Sequence, residues 1–141
     1  MRYIPKLYLE TTIFNFYFAG KGGKKQQDTI KMFEAIKKRR YEAFVSVFVY
    51  REISRATSFK FRKMKFLIDN YTSNILGYNQ EIMDLANEYI NNGIIPPKYI
   101  DDALHIAVAS VNKLDFVVSF NMGHIVTPKT MIGTGFINLD H

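Results

Sequence analysis

An α/β layer fold with a mostly parallel sheet is what this sequence predicts, on three observations. Short apolar runs alternate with longer segments of helical periodicity along all 141 residues. One of the helical segments, Asp101–Asn112, is apolar on nearly every face once its two opening acids are passed, so it must lie in the core. Finally, no repeat, linker or low-complexity tract divides the chain, which reads as one domain, residues 1–141.

The elements follow in order. Lys6–Leu9 predicts a short buried strand that runs straight into Thr11 and Thr12, and Ala19–Lys25 (AGKGGKK) predicts a flexible basic loop. That loop lacks the GxxxxGK[ST] pattern of a phosphate-cradling loop. Gln26–Arg40 has Ile30, Phe33 and Ile36 at helical spacing, with a basic cluster suited to the negative end of a helix dipole. Glu42–Val47 predicts a second strand, and a helix from about Phe48 carries Glu52 until Thr57–Phe59 interrupts it. Phe59–Asn70 is a third helix, with Phe61, Met64, Leu67 and Ile68 as its apolar stripe. Ser73–Leu76 is a strand candidate. The helix Gln80–Asn92 ends at Asn-Asn-Gly, and Pro96–Pro97 fixes a turn. Helix Asp101–Asn112, strand Phe116–Phe120 and a weak strand Gly135–Leu139 complete the series.

Composition narrows the function classes. With no cysteine, disulfides and Cys-based zinc sites are excluded. No apolar run reaches the roughly 18–20 residues of a membrane span, and the first residues lack a signal-peptide pattern, so no membrane partner and a cytoplasmic location are expected. The net charge of +6 is unevenly spread: residues 1–65 hold 16 of the 19 Lys and Arg against 5 of the 13 acids. Such a basic half suits a polyanionic partner, or forms a solubilising surface.

Four polar residues sit where apolar elements begin or end: Glu10, Glu52, Asp102 and Asn121. Carboxylates seldom border buried strands unless paired, hydrogen-bonded or bound to a cation. Glu10 and Asn121 follow strands, at the carboxyl ends where ligands bind in open α/β sheets. Asp115 precedes its strand and should emerge at the opposite edge, as a turn residue. Asp101 is accounted for by capping its helix, whereas a second acid, Asp102, beginning so apolar a helix points to a site. Glu52 has an alternative as a surface partner of Arg51 or Arg55. His105 reads as a buried, hydrogen-bonded histidine in preference to a metal neighbour, and His124 lies in a loop near enough to touch substrate. Oxygen ligands without Cys or paired His favour Mg²⁺ or Mn²⁺. No Ser-His-Asp or Cys-based nucleophile is suggested. A phosphoacceptor domain would want an acidic pair after the first strand, where Thr11 and Thr12 stand instead.

The segments Tyr8-Leu-Glu-Thr-Thr-Ile-Phe, Arg51-Glu-Ile, Asp102-Ala-Leu-His-Ile-Ala and Phe116-Val-Val-Ser-Phe-Asn-Met-Gly-His-Ile-Val, in that order, resemble a PIN domain of the kind found in VapC-type toxin ribonucleases. The resemblance implies a three-layer α/β/α fold and metal-dependent cleavage of single-stranded RNA by metal-activated water. It implies Glu10, Glu52 and Asp102 as holders of Mg²⁺ or Mn²⁺, Asn121 at the fourth catalytic position, and Thr12 and His124 in support. It further implies RNA as substrate, a small antitoxin protein as partner, and a homodimer. Two departures stand out: Glu10 occupies a place where Asp is commonest, and Asn121 is neutral where many relatives carry Asp. Loss of that charge makes a second metal less expected and leaves a weak or inactive RNA-binding module of the same fold as the alternative.

Overall fold

The computed structural model describes residues 2–123, 125, 126, 130 and 133–139. Five strands form one sheet in the order β3-β2-β1-β4-β5, and every pairing is parallel. They are β1 (Lys6–Leu9), β2 (Glu42–Ser46), β3 (Thr72–Leu76), β4 (Phe116–Ser119) and β5 (Gly135–Asn138). Six helices cover it: α1 (Thr12–Tyr17), α2 (Lys24–Lys37), α3 (Val47–Ile53), α4 (Ser58–Tyr71), α5 (Gln80–Asn91) and α6 (Ile100–Val111). Helices α1, α2 and α4 pack together, as do α3, α5 and α6, and the sheet between the two groups makes the predicted three-layer α/β/α fold.

Central β1 shows why the sheet needs both layers. Leu7, Tyr8 and Leu9 are all buried, on alternate faces, as expected of a parallel strand covered from both sides. The covering core is built from the periodic residues of the helices: Phe33 and Ile36 of α2, Met64, Leu67 and Ile68 of α4, Ile82 and Ala86 of α5, and seven consecutive buried positions, Ala103–Ala109, of α6. Gly93 stops α5. Its φ of +70° lets the chain turn back, and Ile94 N–H reaches Tyr89 O at 2.9 Å.

The sequence misplaces two local features. α1 lies where no helix is predicted, its Ile13 and Phe14 driven into the core. Lys24 and Lys25, read as loop, are the first turn of α2. Asp115 is at the opposite sheet edge as predicted, receiving Lys6 N–H and Tyr3 O–H, each at 2.7 Å. Among the described residues no helix is long and apolar enough to cross a membrane.

Candidate metal centre

The carboxyl ends of the central strands meet at one place. Glu10 continues β1, and its N–H donates to Val118 O (3.1 Å), so the strand ladder itself fixes the residue beside the end of β4. The side chain is only 3% exposed. Three donors converge on Oε1: Thr12 Oγ1 at 2.5 Å, Ser119 Oγ at 2.7 Å and Thr12 N–H at 3.2 Å. Among the described residues none of these bonds uses Oε2. Thr12 Oγ1 in turn accepts Phe120 N–H (3.1 Å), and Ser119 Oγ accepts Asn121 N–H (2.9 Å). These hydrogen bonds fix the position of the Glu10 side chain.

Glu52 arrives from the next strand. β2 ends at Ser46, which caps α3 by accepting Phe48 N–H, and Glu52 projects from the last turn of that short helix. Its Oε1 meets Nε2 of His105, which is fully buried on α6. Burial by itself would raise the Glu52 carboxyl. The hydrogen bond and charge of His105, with help from Thr11 and Arg55, outweigh it and hold the carboxyl below its ordinary range. Glu52 is therefore no surface partner of Arg51, which lies 3.4 Å from Asp101 in an exposed pair. Asp101 does not cap α6 as the sequence suggests. It sits inside the first turn, where its charge still complements the helix dipole.

One oxygen of Glu10, one of Glu52 and one nitrogen of His105 lie within 4.8 Å of one another. Two carboxylates brought this close repel, and a divalent cation is a usual remedy. The donor set fits such an ion. Thr11, buried at 8% exposure, lies beside Glu52 and helps to lower its carboxyl. The other predicted residues fall around this trio. Asp102 is half-buried in the first turn of α6, one turn before His105 and so on the same helix face, without belonging to the trio. Asn121 is exposed just past β4, and Thr12 touches Glu10 directly. His124 lies outside the described residues. Sequence reasoning passed over Ser119, Thr11, Tyr8 and Ser46, short or half-apolar residues at strand ends with no spacing that would single them out.

Fold and site together define a class: a parallel α/β/α domain with a Glu/Glu/His cluster able to hold a divalent cation at the carboxyl ends of its strands. A chain of the VapBC2 crystal structure from Rickettsia felis, bound to a DNA fragment from their promoter, shares this fold. The TM-score is 0.62, over 94% of this chain and 98% of that one, at 15% sequence identity. No family model matches the chain, and no curated protein matches it by sequence.

Proposed function

We propose that this protein is a metal-dependent endoribonuclease that cleaves single-stranded RNA, acting as the toxin of a toxin–antitoxin pair. The observation that carries the reading is the convergence of Glu10 and Glu52 with His105 within 4.8 Å. The shared fold with a chain of VapBC2 supports it, as do the ordered motifs of the PIN resemblance.

Glu10, Glu52 and Asp102 would hold Mg²⁺ or Mn²⁺, and a bound ion supplies an activated water and a Lewis acid for the phosphoryl group. The chain's own residues do the rest. Thr12 and Ser119 hold Glu10 in place, and Arg55 adds to the positive field at Glu52. Asn121, at the rim, offers an amide to the scissile phosphate. Substrate would be held by the basic half of the chain. On α4, Arg62 and Lys63 line one cavity with Phe18, Phe59 and Phe66, and Lys60 and Lys63 line another that shares Phe18 and Phe59; Phe59 and Phe66 are about 60% exposed, and among the described residues no acid lines either cavity. Lysines supply phosphate contacts, and exposed aromatic rings suit unpaired bases or the apolar face of a protein partner such as an antitoxin. A homodimer is part of the same proposal.

A second reading, an inactive RNA-binding module of this fold, is favoured by the neutral, exposed Asn121. Incubating labelled single-stranded RNA with the purified protein, with Mn²⁺ or EDTA, separates the two. Cleavage that needs the ion and is lost in Asp102→Asn supports the enzyme. Cleavage surviving both EDTA and that substitution defeats the metal mechanism, and binding with no cleavage under any ion establishes the module.

A further inference from the structure

Groups from β1, the start of α3, and α6 form one unbroken chain of hydrogen bonds that ends at the candidate centre. Phe48 N–H donates to Ser46 Oγ at 3.1 Å, Ser46 Oγ lies 2.7 Å from the Tyr8 hydroxyl, and that hydroxyl lies 2.5 Å from His105 Nδ1. On the far side of the ring, Nε2 meets Glu52. Tyr8, Ser46 and His105 are all fully buried, so each bond must be made within the protein. The Tyr8 hydroxyl has one proton to give and lone pairs to receive.

Two arrangements with a single proton on the His105 ring fit these distances. In the first, Nε2–H donates to Glu52, Tyr8 donates to Nδ1, and Ser46 donates to Tyr8. In the second, Nδ1–H donates to Tyr8, Tyr8 donates to Ser46, and Nε2 presents a bare lone pair to the gap it shares with Glu10 and Glu52. The two differ only in which ring nitrogen carries the proton and in the rotation of the two hydroxyls. Net charge is unchanged. Metal-bound imidazoles characteristically have their other nitrogen fixed by such a partner.

We propose that His105 Nε2 is a nitrogen ligand of the Glu10/Glu52 centre, that Tyr8 and Ser46 are positioning residues holding the ring in its metal-accepting tautomer, and that the centre therefore takes Mn²⁺ or another imidazole-accepting first-row ion ahead of Mg²⁺. This rests on the metal reading given above and changes its donor set, since Mg²⁺ favours oxygen and water whereas imidazole suits later ions.

Calorimetric titration of the full chain with Mn²⁺ and with Mg²⁺, joined to pulsed electron paramagnetic resonance of the bound Mn²⁺, tests this. The expected result is a nitrogen hyperfine coupling that disappears in His105→Gln. Tyr8→Phe should keep the coupling and bind Mn²⁺ about 10–100-fold more weakly. Mn²⁺ bound without nitrogen coupling in the unsubstituted protein overturns the His105 assignment and leaves the metal reading standing. That spectrum decides the matter even if His105→Gln fails to fold. Unchanged Mn²⁺ affinity in Tyr8→Phe overturns the positioning role, and equal affinity for the two ions overturns the preference. Absence of binding by either ion at millimolar concentration removes the metal reading and this inference together.

Discussion

Glu52 and His105 stand 53 positions apart in the chain and are joined by a direct hydrogen bond between α3 and α6. This bond ties the two helices on one side of the sheet at the point where their ends reach the site. Each partner gives the other a reason to be buried: the ring satisfies a half-buried carboxylate, and the carboxylate satisfies a fully buried ring nitrogen.

Glu52 makes stability depend on acid in a defined direction. Its carboxyl titrates below the ordinary 4.5 in the folded protein, so the unfolded chain takes up that proton first as pH falls. The contribution is present above the unfolded value and is lost as pH falls through the lowered folded one. Urea midpoints measured from pH 7 down to pH 3 should therefore fall in the acid limb, and Glu52→Gln should flatten that limb. Parallel curves for the two proteins would remove the argument.

Glu10→Gln should separate activity from stability. Replacing one of two adjacent carboxylates relieves repulsion, so Tm should hold or rise, while ion-dependent cleavage drops by about 100-fold or more. A thermal melt and a cleavage time course on the same preparation decide it. A lower Tm with unaltered cleavage would make Glu10 a structural residue.

At the other edge of the sheet, Asp115→Ala removes the acceptor for Tyr3 O–H and Lys6 N–H. Both bonds are exposed, so we expect only a small loss of stability in chemical denaturation, with cleavage unaffected. Phe33→Ala reaches deeper. Its ring packs on Phe14, Tyr17 and Tyr71 at centroid distances of 6.0, 5.2 and 5.0 Å, and truncation should cost about 3–5 kcal/mol.

The triple substitution Lys60→Ala, Arg62→Ala, Lys63→Ala tests the basic face of α4. RNA affinity should fall, and the slope of log affinity against log salt should shrink by about one per phosphate contact removed. An unchanged slope would place the RNA elsewhere on the protein.

The parallel α/β design was legible because it depends on periodicity, which Asp101–Asn112 and the apolar strand runs display openly. α1 was not: Thr-Ile-Phe-Asn-Phe-Tyr is rich in β-branched and aromatic residues, and its helix is imposed by burying Ile13 and Phe14. Glu10 can be singled out because charge beside a buried strand is costly, and Glu52 chiefly through the family resemblance. His105 was read as a core histidine, and it is buried as that reading requires. Its second nitrogen facing the carboxylates depends on where α3 ends, which local sequence does not reveal. Ser119, Ser46 and Thr11 stayed silent for a similar reason, since a hydroxyl at a strand end is ordinary until its partner is known.

The bond from Ser119 to Glu10 spans 109 positions, and β1 finds its neighbour β4 only at that late point in synthesis. A chain emerging from the ribosome would carry Glu10 and Glu52 well before β4 exists to seat the first of them. If the protein cuts RNA, a nascent copy stays without a seated Glu10 until β4 has been made.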